Sequence, residues 1–250
     1  MRNSLLQLIL MMVFAAIMPS CSDDYIIGGE INETNKVGVS SFDYLKMTEE
    51  TDTVAILFEK AGLKDAVNGD VTIIAPNQWS VNRYIRRRHN QDLRNDPAAP
   101  ELTISDLTSD DLTQMGMYIL PGSYASATIP SGGINLTALD GSEVRLTVDE
   151  TNTDAGSVGY QYSNFMEKLP KIVHVHFKRG NNWELTAEER TQMTNYYDNP
   201  ECDHVYRMYV SDVITTTGVV HVLYSGDYTY SDHYYYHCLF FFGKRTDDTF

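Results

Sequence analysis

The order of patterns between residues 52 and 76 constrains the fold more than any other feature. Apolar residues recur there at helical spacing, at Val54, Leu57, Phe58 and Ala61. This spacing predicts an amphipathic helix, and Gly62 allows the left-handed conformation that often follows a last helical turn. A β-branched run at 71–74 predicts a buried strand that Pro76 stops. A short helix followed within a few residues by a buried strand indicates a chain that packs helices against a sheet.

Helix and strand signals also occur before and after this segment. The segment at 40–47, SSFDYLKM, opens with a serine that is typical of a helix N-cap. A short acidic helix and a strand at 117–120 form a second helix–strand cycle. Asp140-Gly141 is typical of a hairpin turn, and two strand-like runs flank Thr217-Gly218. These signals predict an α+β fold with several short strands.

Three of these stretches, in this order and spacing, resemble the conserved segments of fasciclin domains. Residues 41–81 are similar to the first box, in which a helix leads to a strand that ends in Pro-Thr-Asp. Residues 117–148 are similar to the central strand, Pro-Gly turn and hairpin, and residues 211–223 to the second box with its Val-Ile-His-Val strand. The resemblance implies a fasciclin-like β-sandwich or wedge with flanking short helices, and a role in adhesion or binding.

The sequence departs from the fasciclin pattern at two functional positions. The Pro-Thr-Asp corner is here Pro76-Asn77-Gln78, which retains the capacity for turn hydrogen bonds without the charge. The central Tyr-His pair, tied to adhesion in animal members of the family, is Tyr118-Ile119, so its histidine is absent. The second-box histidine is His221, which alternates with Val219 and Leu223. We expect His221 to be a hydrogen-bonded core residue, with a ligand-binding or catalytic role as the alternative.

The first twenty residues have the pattern of an export signal. Arg2 is followed by an apolar run at 5–18, and Ser20 precedes Cys21. The run is shorter than the roughly 20 apolar residues of a membrane span. It resembles a bacterial lipoprotein signal in which Cys21 is lipidated, followed by an acidic Ser-Asp-Asp tag. We therefore expect a lipid anchor on Cys21 at the surface of a gram-negative outer membrane, with an ordinary cleaved signal peptide as the alternative.

The remaining chain divides into a tether and one domain. Residues 21–39 are predicted to be a tether, and residues 40–250 a single fasciclin-like domain. That domain is expected to carry an insertion at about 149–205 and an extra aromatic strand at its C-terminal end. The formal net charge of −15 argues against nucleic acid as a partner, because nucleic-acid binding requires a basic footprint.

Two polar clusters are candidate binding elements. His174 and His176 share one face of a predicted strand at 172–178, which is the geometry of two metal ligands. The spacing does not specify a third metal ligand, and His233 and His237 are only candidates for it. Two ordinary histidines on the polar face of a strand are the simpler interpretation. We therefore expect no metal and no cofactor.

The segment RYIRRRHN, residues 83–90, gathers four arginines in an acidic protein. Its preferred interpretation is a solvated helix face that bridges to nearby carboxylates. Contact with an anionic glycan is the alternative.

An aromatic tail, residues 224–245, continues beyond the point at which fasciclin domains normally end. A strand is expected at 234–242, and alternation predicts that Tyr228, Tyr230 and Tyr235 face solvent as binding residues. The alternative is that these rings cover the core. Cys202 and Cys238 remain for a disulfide in an exported protein, and a buried free thiol at Cys238 is equally compatible with its apolar surroundings.

The sequence contains no nucleophile elbow, no His-Glu-x-x-His and no phosphate loop. We therefore expect no catalytic residues and predict a non-catalytic, surface-anchored adhesion or binding module. A glycan or an outer-membrane protein is the expected partner. The first alternative is a structural accessory subunit of an outer-membrane nutrient-uptake complex, and the second is a hydrolase of surface glycans.

Overall fold

The computed structural model describes residues 35–149, 171–178, 183 and 204–223. Three short helices lead into the first strand, and a longer helix follows it. They are α1 (Ser41–Met47), α2 (Asp52–Lys60), α3 (Lys64–Val67), β1 (Val71–Ala75) and α4 (Gln78–Asn95). Two 3₁₀ helices, Ile104–Asp106 and Asp110–Tyr118, lie in the connection between α4 and the second strand. A third, Ser126–Thr128, lies between the second and third strands.

The remaining strands complete one sheet. They are β2 (Ile119–Pro121), β3 (Ile134–Thr137), β4 (Glu143–Asp149), β5 (Ile172–Phe177), β6 (His204–Ile214) and β7 (Gly218–Leu223). The described strands form a seven-stranded sheet in the order β2-β1-β7-β6-β5-β4-β3. β1 and β7 pair in parallel, and the other neighbours are antiparallel.

The two ends of this sheet approach each other. The amide of Leu139, which follows β3, donates to the carbonyl of Ile119 in β2 at 2.9 Å. The ring of Tyr118 meets the ring of Phe177 edge-on, with centroids 6.2 Å apart. The sheet is therefore nearly closed around its core, and short helices flank it. The predicted fold class, an α+β wedge with flanking short helices, is confirmed.

Local signals predicted the start of α1 and the end of α2. Asn77 was expected to form turn hydrogen bonds and was not predicted to cap a helix. Ser40 caps α1 by accepting the amide of Asp43, and Asn77 caps α4 by accepting the amide of Ser80 at 3.1 Å. Gly62 has a φ of +71° after α2. The predicted apolar face of α2 is inward, since Val54, Leu57 and Phe58 are fully buried.

The strand predicted at 117–120 begins later in the structure. Residues Met117 and Tyr118 are the end of a 3₁₀ helix, and the strand is Ile119–Pro121. The carbonyl of Gly116 accepts the amide of Leu139 at 3.2 Å. This contact holds the end of the 3₁₀ helix against the β3–β4 connection, so the extended conformation starts only after Tyr118.

The predicted insertion at about 149–205 contains a strand of the sheet. β5 lies within it, yet β5 pairs with β4 on one side and with β6 on the other. Val173, Val175 and Phe177 point into the core from this strand. Residues 172–177 are therefore an integral strand of the sheet. Apolar alternation indicated the strand itself but carried no information about its neighbours.

The folded unit also starts before the predicted end of the tether at residue 39. Lys36 forms a parallel bridge with Ile214. The amide of Val37 donates to the carbonyl of Ile214, and the amide of Ile214 donates to the carbonyl of Asn35, each at 2.8 Å. These bonds use only backbone groups, so the Gly-, Asn- and Glu-rich composition did not reveal them.

Candidate functional site

A buried histidine links the sheet to the segment after β2. His221 on β7 is fully buried. Its Nδ1 accepts the backbone amide of Asp212 at 3.1 Å, and its Nε2–H donates to the carbonyl of Tyr124 at 2.9 Å. These partners assign the proton to Nε2. The prediction that His221 is a hydrogen-bonded core residue is confirmed.

Asp212 occupies an irregular position that allows this arrangement. The pairing of β6 with β7 shifts register between Val210 and Val213. Two residues, Ser211 and Asp212, therefore lie opposite the single residue His221 of β7, which is the arrangement of a β-bulge. Asp212 has a φ of +62° there, a left-handed conformation that aspartate tolerates better than most residues. Its carboxylate accepts the amide of Ser126 at 2.6 Å and also the hydroxyl of Ser126.

Ser126, Asp212 and His221 are the residue types of a hydrolytic triad, but their connections differ from one. In a triad the histidine accepts the serine hydroxyl proton, and the aspartate orients the histidine ring. Here the serine donates to the aspartate, and both ring nitrogens of His221 bond to backbone groups. This network fastens the segment at 124–126 to the sheet and presents no base to Ser126.

The electrostatics of His221 agree with this structural role. Burial lowers the pKa of His221 below its ordinary value, and this effect outweighs the Tyr124 carbonyl bond and the charge of Asp212, which both act in the opposite direction. The imidazole is therefore neutral in the folded protein at neutral pH. Sequence reasoning identified His221 but missed Ser126 and Asp212, since no local pattern marks either residue.

The two histidines on β5 are packed residues. His174 and His176 are both buried, and His176 Nε2 lies 2.9 Å from the hydroxyl of Thr147 on β4. Within the described ranges, no group of three or more His, Cys, Asp or Glu side chains is arranged to hold a metal ion. The candidate third ligands, His233 and His237, lie outside the described residues.

The arginine-rich segment lies on α4, and its inner side is fixed by an ion pair. Arg88 Nη1 bonds to the Asp111 carboxylate, and the same arginine lies over the Tyr84 ring at 6.0 Å. The predicted bridge from a helix face to a nearby carboxylate is confirmed at Arg88. Burial alone would raise the pKa of Asp111, but hydrogen bonds from Thr108 and Arg88 outweigh it and lower the pKa to about 2.

Replacing Asp111 by asparagine is expected to lower the free energy of unfolding at pH 7 by about 1–2 kcal/mol. The carboxylate contributes stability above its ordinary pKa of 3.8, and this contribution is lost as the pH falls toward about 2. Urea unfolding of wild type and variant at pH 7 and in the acid range measures it. The exposed neighbour Asp110 provides the control as Asp110→Asn. Equal stability losses in the two variants would contradict the assignment.

The opposite side of α4 is open to solvent. Residues spaced by three and four positions follow one stripe along a helix, and we define the α4 outer face as the stripe made of Trp79, Arg83, Arg86, Asn90 and Arg94. Trp79 is 52% exposed, Arg86, Asn90 and Arg94 are exposed, and Arg83 is half-buried. The stripe combines one large aromatic ring with three guanidinium groups.

The remaining predicted site residues lie outside the described residues. They are Cys21, Cys202, Tyr228, Tyr230, Tyr235 and Cys238. Their roles stay predictions. In the part of the chain that the structure describes, no helix has both the length and the apolar character needed to cross a membrane.

Comparisons with known proteins give structural similarity but no family assignment. No family model matches the sequence, and the search of curated proteins gives no match. Among solved structures, the chain is similar to a FAS1 domain pair from the insect cell adhesion molecule fasciclin I, with a TM-score of 0.32 and 12% sequence identity. The match covers 73% of this chain and 42% of that one, so the chain spans less than half of its length. A similarity this distant assigns no function.

Proposed function

We propose that this protein is a non-catalytic adhesion or binding module held at a cell surface. The observation that carries the proposal is the α4 outer face, which exposes Trp79 beside arginines on a firmly anchored helix. Trp and Arg are the residue types most enriched where binding energy concentrates. The fasciclin resemblance of the sequence supports the same role. Tyr228, Tyr230 and Tyr235 are a second proposed contact region.

We further propose that the chain is anchored by lipid on Cys21 at the outer membrane and faces the exterior. The support is the sequence pattern of a basic start, a short apolar run, Ser20 and then Cys21. One acyl chain gives only marginal membrane binding, so stable anchoring requires several chains on the same cysteine. A tethered module can then engage a glycan or an outer-membrane protein.

Changing Cys21 to serine is expected to abolish metabolic labelling with a radioactive or clickable fatty acid, because serine offers no thiol for acylation. The measurement is fatty-acid incorporation into the chain expressed in a gram-negative host, together with its partition between membrane and soluble fractions. Ser22→Ala, which keeps the cysteine, is the control and should label like the wild type. Labelling that persists in the Cys21→Ser chain would rule out this anchor.

The binding role itself is tested with the purified full chain in detergent. Arrays of glycans and a cross-linking experiment at the cell surface measure whether the chain retains a ligand, and product analysis of the same glycans measures hydrolysis. Retention without product formation supports the proposal. Turnover of any glycan, or a chain that retains neither a glycan nor a surface protein, would contradict it.

A further inference from the structure

We propose that the α4 outer face binds an acidic glycan, with Trp79 stacking on a sugar ring and Arg86 and Arg94 holding its carboxylate or sulfate groups. The inference rests on the proposed binding function and names its ligand class and its site. Guanidinium groups form paired hydrogen bonds with carboxylates and related oxyanions. An exposed indole offers a flat apolar surface for the C–H face of a sugar.

The stripe is held on a rigid support. Val81 and Ile85 anchor α4 in the core, Asn77 caps its first turn, and Arg88 is tied to Asp111. At about 1.5 Å rise per residue, Trp79 and Arg94 lie about 22 Å apart along the helix axis. The face can therefore contact several sugar units in a row without reorganisation of its backbone.

The charge on this face contrasts with that of the whole chain. The formal net charge is −15, yet the α4 outer face contains no acidic residue. In the described part of the chain, neither Arg86 nor Arg94 forms an ion pair. Their guanidinium groups are thus available to a ligand anion.

The spacing of these charges favours an acidic glycan over other anionic partners. Duplex DNA carries about one charge per 1.7 Å. The three arginines of the α4 outer face are too few and too widely spaced to match this charge density, and the rest of the protein is acidic. Binding in the plane of a membrane needs a broad apolar face, and a protein groove that accepts a helix needs several apolar anchors along it. The stripe has a single aromatic, Trp79, and widely spaced cations, which suit a polymer with a sugar backbone and intermittent anionic groups.

The test uses the full chain in detergent and polygalacturonate as the probe, with neutral dextran for comparison. The double variant Arg86→Gln/Arg94→Gln is expected to bind polygalacturonate at least about tenfold more weakly, because it loses the charge-assisted hydrogen bonds of two guanidinium groups. Trp79→Ala is expected to lose a similar factor. Wild-type binding should weaken as salt rises.

Control variants distinguish the loss of the α4 site from a general loss of surface charge or apolar surface. Lys36→Gln/Lys46→Gln removes the same charge from exposed lysines elsewhere, and Met47→Ala removes an exposed apolar side chain. Both are expected to bind like the wild type, and thermal unfolding confirms that every variant is folded. If all chains bind polygalacturonate equally, the α4 site is wrong while the proposed binding function survives. Retention by phosphatidylglycerol vesicles or an acidic protein, with none on polygalacturonate, overturns the glycan assignment.

Discussion

Replacing Gly218 by alanine is expected to lower the free energy of unfolding by about 3 kcal/mol, near the upper end of what overpacking costs. A Cβ at this position would lie 2.1 Å from the carbonyl oxygen of Val71. Gly218 pairs with Val71 at the start of the parallel β1–β7 ladder. Relief would require the two strands to separate, because the clashing atom is backbone and cannot rotate away.

Urea unfolding of the full chain measures this effect, and Gly132→Ala is the control. A Cβ added at Gly132 meets no atom within 4 Å, so its stability should stay within about 0.5 kcal/mol of the wild type. If Gly218→Ala unfolds at the same urea concentration as Gly132→Ala, the close approach of β1 and β7 is wrong.

The sequence around Gly218 predicted the turn but not the reason why glycine is required there. The Thr217-Gly218 pair indicated a turn between two strands, and a turn does join β6 to β7. The reason for glycine is different, since Gly218 does not have a positive φ. It is required by the close approach of Val71, which is 147 positions earlier in the chain. The glycine correctly indicated a backbone constraint at this position, but the constraint comes from a long-range contact and not from the turn.

Features governed by neighbouring residues were predictable. The cap at Ser40 and the left-handed Gly62 depend on a few adjacent positions. The α2 apolar face follows from helical spacing alone. The place of β5 in the sheet was not predictable in this way, because strand alternation does not specify which strands become neighbours.

In the candidate site, too, local features were predictable and long-range contacts were not. The four arginines between residues 83 and 90 indicated a helix face with nearby carboxylates. Only the structure separates Arg88, which pairs with Asp111 on the inner side, from Arg86 on the α4 outer face. Arg94, which lies beyond that segment, belongs to the same outer face. Ser126 and Asp212 are 86 positions apart. Their bond depends on a bulge in β6, for which the sequence carries no distinctive signal.

Replacing His221 by alanine is expected to lower the free energy of unfolding by about 3–5 kcal/mol. The substitution leaves the Asp212 amide and the Tyr124 carbonyl without their ring partners, and it opens a cavity in a fully buried position. Loss of these bonds also releases the segment at 124–126 from β7. Urea unfolding at pH 7.5 provides the measurement.

His221 should also make stability depend on pH in a defined direction. Its pKa is lowered in the folded protein, whereas the unfolded chain takes up a proton near the ordinary histidine pKa of about 6.5. Below that pH the unfolded state binds more protons, so stability falls as the pH decreases, by up to about 1.4 kcal/mol per pH unit. The loss stops growing once the pH passes below the folded-state pKa.

The variant His221→Gln isolates this contribution if the alanine variant does not fold. Glutamine fills part of the space and can donate to the Tyr124 carbonyl, but it does not titrate. Between pH 7 and pH 5, the wild type should therefore lose stability more steeply than His221→Gln. The titration of Asp111 lies below this window, with a pKa of about 2, and cancels in the comparison. Parallel pH profiles for the two chains would show that His221 is not the neutral buried group that joins β7 to the Tyr124 segment.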